Sequence, residues 1–169
     1  MHTVDDITEI FRAPLSRIPG RPNEYLGVYN KLLSGLFEES RFLVTFPKQN
    51  CMEVVICNRR VRDPKSVLIL LALDEEPNSE ESVAIDVLMQ KLLMEADALE
   101  IQAIHGLCVW ETKVAFYRYN REQGVVTPDV HFDLDLKDKD GAALVIEVAE
   151  DVKRMCQGLV GKARKPKQK

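Results

Sequence analysis

Three acids in a row, Asp74, Glu75 and Glu76, follow directly on seven apolar residues, Val67 to Leu73. An apolar run this short and continuous reads as a strand buried on both faces, in the middle of a sheet. Its carboxyl end is where a mixed α/β sheet can hold a site, and the acids stand there. The plainer use of Asp74 to Glu81 is an acidic helix start, whose charges face water and favour the helix dipole. Arg59, Arg60 and Arg62 could touch phosphate, although a solvated polar turn is the commoner use of such a run. His131, Asp133 and Asp135 alternate on one strand face and could meet a divalent cation. Trp110, Tyr117 and Tyr119 could stack on bases, against the commoner role of cross-strand packing. His105 lies in an apolar strand, where a satisfied structural histidine is the default. The sequence has no GxSxG, HExxH, Walker or GxGxxG pattern.

The bulk properties narrow the field. A chain of 169 residues, 46% hydrophobic and 30% charged, is expected to form one domain with a single core. No apolar stretch approaches the roughly 18 residues of a membrane span, and the acidic start Met1 to Asp6 is no secretory signal. Four cysteines, Cys51, Cys57, Cys108 and Cys156, are spread without a CxxC pair. They read as reduced, packed thiols of an intracellular protein, cytoplasmic or nuclear, with no membrane partner. Net charge is −4, unevenly placed: residues 162–169 hold five of the 23 basic residues, among them Lys162, Arg164, Lys165 and Lys167, and no acid. The body is therefore 18 basic against 27 acidic, which repels nucleic acid unless its cations gather on one face. The tail could bind phosphate or serve as an import signal; a solvated, flexible end is the plainer expectation.

Periodicity supplies the elements. Residues 1–21 read as a leader, with Ile7, Ile10 and Phe11 on one side of a short helix before Pro14, Pro19, Gly20 and Pro22. One helix is predicted from Asn23 to Glu39, with Tyr25, Val28, Tyr29, Leu32, Leu33, Leu36 and Phe37 inward. Strands follow at Arg41 to Pro47, with Phe42, Val44 and Phe46 on one face, and at Cys51 to Cys57. After the central strand, Asn78 and Glu81 have capping-box spacing, opening a helix to Leu99 with Ile85, Leu88, Met89, Leu92, Leu93, Ala96 and Leu99 as its buried stripe. Ala103 to Val109 and Lys113 to Tyr119 read as strands about the turn Trp110-Glu111-Thr112. Gly124 and Thr127-Pro128-Asp129 punctuate the chain, and Val130 to Leu136 is a short edge strand or an extended segment. Asp140 can cap a last helix from Ala142 to Leu159. The expected fold is α/β (α+β): a central mixed sheet of four to five strands flanked by helices, in a single domain over residues 22–161.

This αβββαββα order resembles the PD-(D/E)XK, or restriction-endonuclease-like, nuclease fold, and is similar to its compact stand-alone fungal members. The resemblance covers residues 22–160. It is carried by Glu24-Tyr25 ahead of Leu32-Leu33, by Ile104-His105-Gly106-Leu107 and by Phe116-Tyr117-Arg118-Tyr119. It implies an Asp on the second strand and a Glu on the central strand holding Mg²⁺, with a Lys two residues on that positions water and offsets charge. Aligning the central strands puts Ala72 at the Glu and Asp74 at the Lys, while the second strand offers Met52 or Glu53 for the Asp. Shifted registers give Asp74 with Glu76, or Glu75 with Pro77, again without a lysine.

Three readings follow. In the first, the site is vestigial at Glu24, Glu53, Ala72 and Asp74. No metal or cofactor binds, and the domain is an interaction module for protein or nucleic acid, with a homodimer the least demanding partner. In the second, an active Mg²⁺-dependent nuclease has a relocated site, with Glu24, Glu53, Asp74 and Glu76 toward the metal and Lys91 or Lys113 supplying the cation. In the third, the chain is an unrelated α/β interaction or structural protein. The first is the expectation.

Overall fold

The computed structural model describes residues 3–12, 24–37, 42–48, 50–56, 65–95 and 103–161. In chain order these form α1 (Val4–Arg12), α2 (Glu24–Leu36), β1 (Phe42–Lys48), β2 (Cys51–Ile56), β3 (Lys65–Leu73), α3 (Ser79–Glu95), β4 (Ala103–Trp110), β5 (Lys113–Asn120), β6 (Val125–Asp135) and α4 (Lys139–Gly161). The strands make one mixed sheet in the order β1-β2-β3-β4-β5-β6. Only β3 and β4 pair in parallel, and α3 is the connection that makes this possible. The apolar run sits as expected inside the sheet, with Val67 to Leu70 and Ala72 buried.

The predicted αβββαββα order is present from α2 to α4, but the sheet has six strands rather than four or five. The extra pairing is β6, which runs straight through Thr127-Pro128-Asp129. It lies at the sheet edge, and Pro128 faces Tyr117 where the register shifts. A proline there can forgo a ladder hydrogen bond, so it does not stop the strand. On the opposite edge, Phe42 is buried but Phe46 is 54% exposed, not on one face with it. The register shifts between Thr45 and Lys48, a bulge at Phe46-Pro47 that breaks the alternation. At α4 the cap moves back two residues. The Ala142 N–H donates to the Asp138 carbonyl (3.1 Å), so Asp138 is the N-cap and Asp140 lies in the first turn.

Neighbouring residues of a strand point to opposite faces, and two on β4 fix the layers. A Cβ on Gly106 would meet Met89 and Leu93 of α3. His105 instead meets Asp151 of α4 at 3.0 Å. So α3 covers one face, and α4 covers the other. Of the stripe expected on α3, Leu88 is not inward but 42% exposed, because it lies one residue round from Met89 on the side that stays open beside the end of β3. Ala96 and Leu99 lie outside the described residues. On α4's side, Lys153 lies over the ring of Phe37 at the end of α2 (6.0 Å). There α1 seats Ile7 and Phe11 in the core, with Phe11 packed on Tyr29 (centroids 5.2 Å). Cys51, Cys108 and Cys156 are buried free thiols; Cys57 lies outside the described residues. No described helix is long and apolar enough to cross a membrane.

Candidate functional site

The carboxyl end of β3 is built by its pairing with β2. A one-residue register shift at Val54/Val55 brings Cys51 opposite Leu71. The residue before β2, Asn50, then reaches Ala72: the Ala72 N–H donates to the Asn50 carbonyl (2.8 Å). Asn50 adopts φ 64°, a left-handed conformation that asparagine tolerates better than most residues. Its side-chain amide donates to the Asp74 carboxylate (2.9 Å). The residues brought together are therefore Asn50, Ala72 and Asp74.

Neither residue offered from the second strand joins them. Met52 is fully buried opposite Leu70, and Glu53 lies opposite Ile69. At about 3.3 Å per residue, Ile69 is roughly 13 Å along the strand from Leu73, and Asp74 is farther still. The Glu53 carboxylate accepts a hydrogen bond from the Ser66 hydroxyl instead. Asn50 is not legible in the sequence because it stands just before β2, and its place beside Ala72 follows from the β2–β3 register, which no motif declares.

Glu76 pairs with Lys113 (3.5 Å), which also lies over the Trp110 ring (5.2 Å). Lys91 pairs with Glu95 (3.9 Å), more than two turns along α3 from Glu81. Of the two lysines considered as a cation source, Lys113 is the one the sheet carries to this end. Glu24 opens α2, and its side chain lies outside the described residues, as do those of His131 and Asp133. Arg59, Arg60, Arg62, Lys162, Arg164, Lys165 and Lys167 lie outside them altogether. Asp135 accepts from the Lys137 N–H (2.9 Å). Among the described residues no three His, Cys, Asp or Glu side chains gather as a metal set.

Beside Asp74 an open groove of about 630 Å³ runs between the end of β3 and the first half of α3. Leu71, Leu73, Pro77, Ala84 and Leu88 give it apolar walls. Asp74, Glu75 and Glu81 give it three carboxylates, and among the described residues no basic side chain lines it. Glu81 is fixed by the predicted capping box. Its carboxylate accepts the Asn78 N–H (2.9 Å), while Asn78 Oδ1 accepts the N–H groups of Glu80 and Glu81 (3.0 Å each).

The remaining candidates are occupied by packing. Tyr117 and Tyr119 are buried, so neither presents a face for bases to stack on. The Tyr117 hydroxyl donates to Asp86 of α3 (2.8 Å). Burial first, then that carboxylate, pushes the phenol well above its ordinary range. Burial, with Asp86 adding to it, pushes the Cys108 thiol up to about 12. His105 is buried against Asp151, whose other oxygen takes Arg154 (3.2 Å), as a structural histidine would be.

No protein-family profile matches the chain, and no curated protein matches it. A solved structure similar to it is the type IIG restriction endonuclease BpuSI, with a TM-score of 0.44 and 15% identity. The similarity covers 90% of this chain and 19% of that one, so the chain spans about a fifth of that protein's length.

Proposed function

We propose that this chain is a non-hydrolytic binding module on a nuclease-like frame, taking a protein segment in the groove at the carboxyl end of β3. The observation that carries the reading is the trio Asn50, Ala72 and Asp74. Metal-assisted hydrolysis needs converging anionic ligands and a cation there. A methyl group cannot ligate, the trio holds a single carboxylate, and Glu53 is held by Ser66 far along the strand. These residues do not fit a Mg²⁺ site, and no step is assigned to one. The groove lining favours a protein partner over nucleic acid, since its three carboxylates repel phosphate while its apolar walls suit a side-chain anchor flanked by basic residues.

Calorimetric titration with Mg²⁺ and Mn²⁺ should give no saturable heat that Asp74→Ala removes. Electrophoretic shift on single- and double-stranded DNA at two salt levels tests the partner class. Any shift should weaken steeply with salt and survive Asp74→Ala, because it would come from basic residues elsewhere. Divalent-dependent cleavage of DNA or RNA, abolished by Asp74→Ala, would overturn the proposal.

A further inference from the structure

The outward side of α3 carries several large apolar side chains among its charged ones. Ile85, Met89 and Leu93 face the sheet, as its periodicity requires. Yet Val83 and Val87 are 63% and 62% exposed, and Leu88 and Met94 join them on the outer side. Large apolar side chains exposed together on one face mark a surface that packs against another. Residues three and four apart share a face, so Glu80, Ala84, Val87, Lys91 and Met94 form one outer row, with Val83 and Leu88 beside it.

We propose that this row is the contact between two copies of the chain, packed as an antiparallel pair of α3 helices. With the two-fold axis level with the Ile85–Asp86 peptide, Glu80 of each copy meets Lys91 of the other. Ala84 then meets Val87 across the centre, and Val83 and Leu88 close the flanks. Charge selects this arrangement. A parallel pair in register would set Glu80 on Glu80 and Lys91 on Lys91, whereas the antiparallel pair makes two opposite-charge contacts about 16 Å apart, one beyond each end of the apolar centre. Lys91 is available for it. Its contact with Glu95 is 3.9 Å long between side chains that are 70% and 60% exposed, which holds it only weakly. Ala84 at the crossing lets the helices approach closely. One helix per copy falls below the roughly 1,200 Å² of a standard interface, so the association belongs to the weak, reversible class. This contact shares Ala84 and Leu88 with the groove wall, but it turns on Val87 and Lys91, which do not line the groove, so variants there test it apart from the groove reading.

Sedimentation velocity on the full chain, from about 5 to about 500 µM, tests it. The expected result is a shift from monomer to dimer with rising concentration. Val87→Glu should hold the protein monomeric throughout without changing its Tm. Lys91→Glu, which sets carboxylates against Glu80, should weaken association about tenfold or more, and the swap Glu80→Lys with Lys91→Glu should restore it. A chain that stays monomeric at the highest concentration overturns the proposal. So does a dimer indifferent to Val87→Glu, or one that the swap does not restore.

Discussion

Gly106 lets α3 pack close against β4. A Cβ there would press into Met89 and lie 3.2 Å from Leu93 Cδ1 and 3.3 Å from Tyr117 Cβ. Gly106→Ala should therefore destabilise the fold by about 1–3 kcal/mol, read as a lower urea midpoint at unchanged m-value. Because the methionine terminus is its nearest obstacle, adding Met89→Ala should cost less in that background than in the wild type. Strict additivity would show that the strain lies elsewhere. The neighbouring Tyr117–Asp86 bond answers a different question. Tyr117→Phe keeps the ring's packing and removes the donor to a half-buried carboxylate, for an expected loss of about 1–3 kcal/mol by chemical unfolding. A loss near zero would mean that water replaces the hydroxyl.

The elements differ in how openly the sequence declares them. α3 starts where its capping box says it should, so Asn78→Ala, which strips acceptors from the Glu80 and Glu81 N–H groups, should cost about 1 kcal/mol in thermal or urea unfolding. Asn78→Ser should recover most of that loss. Helix periodicity was legible because one buried stripe recurs over several turns; Tyr29, Leu32, Leu33 and Leu36 of α2 lie where the pattern puts them. The central strand was legible because burial on both faces leaves no room for a polar residue. Edge strands hide better. β6 carries Pro128 and Asp129, residues that usually end strands, yet an edge tolerates them. Phe46 fits an alternating pattern until a bulge turns it outward. The candidate site shows the same limit. Asp74 and Ala72 could be placed by reading along β3, but their partner depends on how β2 is aligned. The one-residue shift at Val67 of β3 decides that Asn50, rather than the residue next to it, stands opposite Ala72.

The whole molecule responds to base through its buried thiols. Burial pushes Cys156 up to about 12, and burial with the nearby Asp86 carboxylate does the same for Cys108. In the unfolded chain both ionise near 8.5. A raised folded value on an acid favours the protonated, neutral thiol in the native state. The stabilisation is therefore full below about pH 8.5 and is lost as pH climbs toward about 12, because the unfolded chain sheds protons that the folded one keeps. Between those limits each thiol should remove on the order of 1 kcal/mol per pH unit, so urea midpoints measured from pH 7.5 to 10.5 should fall progressively. Tyr29 and Tyr117, raised chiefly by burial, add to the decline only above about pH 10, where free phenols begin to ionise. The acidic excess of the chain contributes a background slope of its own, and a pair of variants separates the two. Cys108→Ala with Cys156→Ala should lower stability at neutral pH through lost packing while flattening the fall between pH 8.5 and 10.5. Equal slopes for that double variant and the wild type would show that the thiols are not the groups that make the fold base-labile.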